Sequence, residues 1–173
     1  VATAALEAYQ AIAWKKDVTL DTEETELHLG VRKASAQELA QAREWMQTIP
    51  KAANGQWADR KAIYAREAVL LADYPDTVPV KLQMHRINDL SVGAIPCEVF
   101  VEIGLRLKRA SPFTRHFTIS LANGYNGYLP TGEAHAMGGY ETWRARSSYL
   151  EVPAAGKITE ALEQMAATLE RRR

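Results

Sequence analysis

Residues 77–100, TVPVKLQMHRINDLSVGAIPCEVF, constrain the fold of this chain more than any other stretch. Two strand-like runs flank Asn88-Asp89, a short polar interruption of the kind that closes a tight hairpin. A helical segment over roughly 97–109 follows, and then a further strand in HFTISLAN. Strand, helix, strand makes a βαβ unit over about 89–122, whose two strands must run parallel through a right-handed crossover. Both strands then end at one edge of the sheet. Ligands of open α/β sheets bind outside the carboxyl ends of strands, so the PCE loop and the NGYNGY loop are expected to face one crevice.

The rest of the chain supplies elements to build around that unit. VATAALEAYQAIAW has helical character, and in KKDVTLDTEETELHLGVR the apolar Leu27, Leu29 and Val31 alternate with Glu26, His28 and Gly30, predicting a half-buried edge strand. Ser35 and Glu38 form a capping box ahead of a helix that stops before Pro50. QWADRKAIYAREAVLLADY reads as another helix, with Trp57, Tyr64, Val69 and Leu71 among its apolar positions and Pro75 closing it. Helices of this kind are expected to cover the sheet. AAGKITEALEQMAATLERR closes the chain as a helix. The fold class is therefore α/β: a mixed sheet with covering helices, a βαβ unit and a C-terminal helix, in one region spanning 1–173.

Composition excludes several functions. Lys+Arg and Asp+Glu both total 21, so no net field draws in nucleic acid or an anionic membrane, and the terminal RRR reads as a solvated helix end. No transmembrane segment is predicted, because AIYAREAVLLA is interrupted by Arg66 and Glu67. The single cysteine, Cys97, rules out an internal disulfide and is read as a small buried residue. The chain opens at Val1 inside helical sequence, without an initiator methionine or a basic leader, which suggests a portion of a longer polypeptide.

The candidate chemistry gathers at the shared sheet edge. Glu98 is placed in the first turn of the 97–109 helix, where it is either a helix-start acid or a site carboxylate. Glu102 has Arg106 at i+4 and is expected to pair with it along the helix. The loop LANGYNGYLPTGEAHAMGGYE carries Asn123, Tyr125, Tyr128, Tyr140 and Glu141 among glycines, a costly loop to order and the place where function is expected ahead of the flanking helices. Its tyrosines either cap the core with hydroxyls in water, donate to a developing oxyanion, or ligate a metal. Arg144, Arg146 and Ser147 either contact substrate or pin the loop to Glu141 and Glu151.

INDLSVGAIPCEVFVEIGLRLKRASP, LANGYNGYLPT and GGYETWRARSSYLE, in this order, resemble the C-terminal part of the neutral/alkaline non-lysosomal ceramidase family in its bacterial branch. The resemblance is dense over residues 80–172. It implies a zinc amidohydrolase that cleaves the N-acyl bond of ceramide or a related lipid amide. It further implies that Glu98, after Pro96, and Tyr128, closing the Asn-x-Tyr-x-x-Tyr loop, are zinc ligands. Tyr140, twelve residues on, would hydrogen-bond the reacting carbonyl oxygen. Asn123, Tyr125 and Arg144 are further candidates around the substrate.

The resemblance also implies what is missing. Two zinc-binding histidines belong to the N-terminal part of such enzymes, and His28, His85, His116 and His135 match neither; they are read as structural or solvated. The expected partners are therefore a lipid amide, the histidine-bearing part of the enzyme and, as a possibility of assembly, a second copy of the chain. A secreted or periplasmic location follows from the same resemblance. The alternative is a non-catalytic α/β interaction or oligomerisation module without metal. Phosphate or sulfate ester hydrolysis is disfavoured by the absence of a glycine-rich phosphate cradle.

Overall fold

A computed structural model of the chain describes residues 1–57 and 59–172. A four-stranded mixed sheet has the order β1 (Leu20–Gly30), β2 (Thr77–Ile87), β3 (Leu90–Ile95), β5 (Arg115–Ser120). β1–β2 and β2–β3 are antiparallel, and β3–β5 is parallel. The hairpin turns at Asn88-Asp89, with Asn88 in the left-handed region at φ 55°. Asparagine tolerates that conformation better than most residues. The Asn88 backbone N–H donates to Thr19 O, and its side-chain oxygen accepts from the Thr19 N–H, so the turn also holds the entry to β1.

The crossover from β3 to β5 is α4 (Val101–Ala110), which starts later than its sequence suggests. Phe100 is the N-cap, and Glu98 and Val99 form a short strand, β4, paired in parallel with β6 (Tyr128–Leu129). Glu98 is thus not in the first turn of a helix. Its N–H donates to Gly127 O at 2.9 Å, a pairing about thirty residues away in sequence that draws the backbone out of helical geometry. Arg106 likewise does not pair along the helix with Glu102. It reaches α6 (Ala154–Arg171), where its Nε and Nη2 donate to the two Glu163 carboxylate oxygens at 2.9 and 3.2 Å.

α4 and α6 cover one face of the sheet. α6 buries Ile158, Leu162, Met165, Ala166 and Leu169, at helical spacing, against Leu29, Val80, Leu82, Met84 and Ile95. Truncating a fully buried leucine such as Leu162 to alanine is expected to cost about 2–5 kcal/mol. α2 (Ala36–Thr48) and α3 (Arg60–Ala72) pack chiefly on each other. Small residues Ala42, Ala65 and Ala68 let them approach and pack on each other, and Leu71 at the end of α3 joins the main core. The capping box is present: Ser35 Oγ accepts from Glu38 N, and Glu38 accepts from Ser35 N. α1 (Ala2–Gln10) buries no residue.

Among the described residues no helix is long and apolar enough to cross a membrane. The basic C-terminus is not simply solvated, because Arg172 pairs with Glu23 at 2.8 Å and lies 3.7 Å from Asp21 on β1. Arg173 lies outside the described residues.

Candidate functional site

The crevice begins with carbonyl groups at the end of β3. Ile95, Pro96 and Cys97 each present a C=O, and these accept from Ala122 N (3.0 Å), Asn126 N (2.6 Å) and Leu121 N (3.0 Å). Ser120 Oγ donates to Cys97 O at 2.8 Å and accepts from Val99 N at 3.1 Å. The loop after β5 is in this way wrapped around the PCE segment. The wrapping bends the backbone through the left-handed region at Leu121 (φ 56°) and Asn123 (φ 64°). For leucine, which has no local polar group to compensate, this conformation costs on the order of 1 kcal/mol.

Gly127 completes the join. Its φ is 76°, and a Cβ there would collide with the Ser147 carbonyl, whose oxygen accepts from Tyr128 N at 2.8 Å. Only glycine meets both demands. The result is that Glu98 and Tyr128 are direct register partners. Glu98, Val99, Phe100, Ser120, Leu121, Tyr128 and Glu141 line a shallow cavity of about 320 Å³.

Tyr125 and Tyr128 lie beside this carboxylate, and Tyr140 packs on Tyr128. Tyr125 Oη donates to Glu98 Oε1 at 3.3 Å. The Tyr128 and Tyr140 rings meet edge to face, with centroids 5.6 Å apart. The Tyr128 phenol is pushed up to about 12, first by the Tyr140 hydroxyl beside it and then by desolvation and the Glu98 charge. Burial and then the Glu98 charge raise Tyr125 as well. Protonated phenols here are donors at neutral pH.

Two further candidates lie elsewhere. Asn123 Nδ2 donates to Gln83 Oε1 on β2 at 2.6 Å, which anchors the loop rather than lining the cavity. Arg144 turns to α2, donating to Glu38 Oε1 at 3.0 Å, while Arg146 pairs with Glu67 on α3 at 2.8 Å. Neither arginine reaches Glu141 or Glu151. The pinning that the sequence reading assigned to them falls largely to Arg32, half-buried at the end of β1. Its guanidinium donates to Leu150 O, Thr142 O and Ser148 O at 2.7–2.8 Å, which fixes the segment that follows Tyr140. Sequence reasoning named Glu141 in the loop without giving it a place on the cavity, and it missed Arg32, which nothing local marked because its acceptors lie more than a hundred residues away.

The fold resembles part of neutral ceramidase. The crystal structure of neutral ceramidase from Pseudomonas aeruginosa superimposes with a TM-score of 0.59 at 19% identity, covering 89% of this chain and 29% of that one. A ceramidase complexed with C2 gives 0.56 at 16% identity, with 89% and 30% covered. The chain thus spans less than a third of the length of either solved ceramidase. No family model and no curated protein sequence matches it.

Glu98 and Tyr128 put two oxygen donors, of the class a metal ion takes, on the cavity. Structural and catalytic zinc sites take nitrogen, sulfur or oxygen donors, typically four ligands in all, and Glu98 with Tyr128 supplies a carboxylate and a phenol side by side. Two neighbouring acids resist ionising together, and a divalent cation between them removes that resistance. Among the described residues no group of three or more His, Cys, Asp or Glu gathers to hold a metal. None of the four histidines lines the cavity. His116 is instead buried against Ser91, with Nδ1 2.8 Å from Ser91 Oγ, and desolvation lowers its pKa. Cys97 is fully buried, and burial pushes its thiol up to about 12, which disfavours the thiolate a metal would require.

Proposed function

We propose that this chain is one part of a zinc-dependent amidohydrolase of the ceramidase type, hydrolysing the N-acyl amide bond of ceramide or a related lipid amide in a secreted or periplasmic enzyme. The observation that carries the reading is the Glu98–Tyr128 register pair with Tyr140 edge-on to it, in a chain whose fold resembles part of neutral ceramidase. Glu98 and Tyr128 would hold the metal together with histidines from the remainder of the enzyme. Zinc held there supplies Lewis acidity toward the amide carbonyl and toward water.

The chain's own residues then have separable roles. Tyr140, exposed and free to meet substrate, donates its phenol proton in a hydrogen bond to the amide oxygen as negative charge develops on it. Tyr125 orients the Glu98 carboxylate through its hydrogen bond. Tyr128 must release its proton to serve as a ligand. The Tyr140 hydroxyl beside it, then desolvation and the Glu98 charge, oppose that release.

The test is made in the enzyme assembled from this chain and its histidine-bearing part. Zinc per chain by elemental analysis and ceramide hydrolysis are both expected to fall in Glu98→Gln and in Tyr128→Phe. Full zinc and full hydrolysis in both variants would show that these residues do not hold the metal.

A further inference from the structure

The sheet has two unlike faces. Val80, Leu82, Met84 and Ile95 point toward α4 and α6, whereas the register sets Thr22, His85, Val92 and Phe117 in one row on the opposite face and Glu24, Gln83, Ala94 and Ile119 in the next. The middle of the β1 and β2 side of this open face is polar and internally satisfied, and its exposed apolar pair, Leu20 and Ile87, lies at the hairpin end, away from the cavity. Glu24 pairs with Lys81 at 3.0 Å and accepts from Gln83 at 2.6 Å. The β5 side is apolar, with Phe117 and Ile119 each 44% exposed and Leu121 50% exposed beyond the strand end. β5 is also an edge of the sheet, carrying unpaired backbone groups on its outer side.

Exposed apolar stripes on a strand edge normally meet another layer. We infer that the exposed face of β5, centred on Phe117, Ile119 and Leu121 and bordered by the buried Val92 and Ala94 of β3, is where the histidine-bearing part of the enzyme docks. The inference rests on the proposed function and adds the surface through which the two parts meet. Two observations select that occupant. The solved chains sharing the fold are more than three times as long as the region they share, so a large body of protein accompanies it there. The stripe also runs into the site: Leu121 belongs to the Glu98 cavity, and Asn123 ties the site loop to Gln83 on the same face. A layer seated on β5 therefore reaches the rim of the Glu98 cavity.

The experiment is thiol labelling of Ile119→Cys in the complete enzyme, with peptides resolved by mass spectrometry so that the buried Cys97 is counted separately. Labelling at position 119 is expected to be about a hundredfold or more slower than in the denatured protein, with zinc retained. Near-denatured labelling with zinc retained would overturn the docked face while leaving the zinc reading intact. Protection with no zinc dependent on Glu98 would instead remove the amidase reading, and with it the named occupant. Protection that disappears on dilution identifies a second copy, and protection lost on removing residues 1–17 identifies α1 folding back; either overturns the inference. As a second variant, Ile119→Arg, with its fold checked by circular dichroism, is expected to weaken assembly at least about tenfold. Unweakened assembly would count against it.

Discussion

Gly127 is the residue on which the geometry of the cavity turns, because a side chain there meets the backbone that Tyr128 itself hydrogen-bonds. Gly127→Ala is expected to cost about 2–4 kcal/mol by combining left-handed strain with a backbone collision, measured by chemical denaturation. At Tyr140 the effect should be catalytic and not structural. Tyr140→Phe in the assembled enzyme keeps the ring that packs on Tyr128 but removes the donor, so kcat for amide hydrolysis is expected to fall by about 10²–10³ with zinc content and melting temperature unchanged. A fall in zinc content alongside kcat would show that Tyr140 acts by holding Tyr128 in place. Residue types at this scale were readable from sequence. Glu98 and Tyr128 were named through the family resemblance of the Pro-x-Glu and Asn-x-Tyr-x-x-Tyr runs, and the fold makes them register partners, whereas Arg32 was invisible because its three carbonyl acceptors are brought together only by the fold.

At the scale of elements, α3 is fastened to the loop after Tyr140 through Glu67, which is nearly buried and accepts from Arg146 Nε, Nη2 and backbone N. The Arg146 hydrogen bond, chiefly, holds its carboxyl down to about 2 against an ordinary value near 4.5. A carboxylate with a lowered folded pKa stabilises fully above the unfolded value and loses that contribution as pH falls through the folded one. The stabilisation from Glu67 is therefore present above pH 4.5 and drains away toward pH 2. Glu67→Gln is expected to cost about 2 kcal/mol at pH 7, reduced by the solvation available to half-exposed Arg146, and to converge with the parent protein in acid denaturation near pH 2. A constant difference across that window would rule out the ion pair as its source. Elements with local signals were legible: the Asn88-Asp89 hairpin, the capping box of α2 and the βαβ crossover. What misled the reading was competition from distant partners. Glu98 left the helix for Gly127, and Arg106 preferred the two oxygens of Glu163 to its own helix neighbour.

For the whole molecule, the mixed α/β architecture and the closing helix followed from pattern, because periodicity reports which face of each element is buried. It does not report which layer buries it, so the uncovered face of β5 could not be read from the sequence. α1 gives the complementary case. With no buried residue it adds nothing to the core, and removing residues 1–17 is expected to shift the melting temperature by no more than about 2 °C in calorimetry. A larger loss would show that α1 docks on the body of the protein. Cys97 has its own consequence at this scale. It is fully enclosed, its thiol is held far from ionisation, and the chain contains no second cysteine with which it could bond. The fold needs no oxidant to form and offers no sulfur bridge to a reductant, so this region is chemically indifferent to the redox poise of the compartment in which it folds.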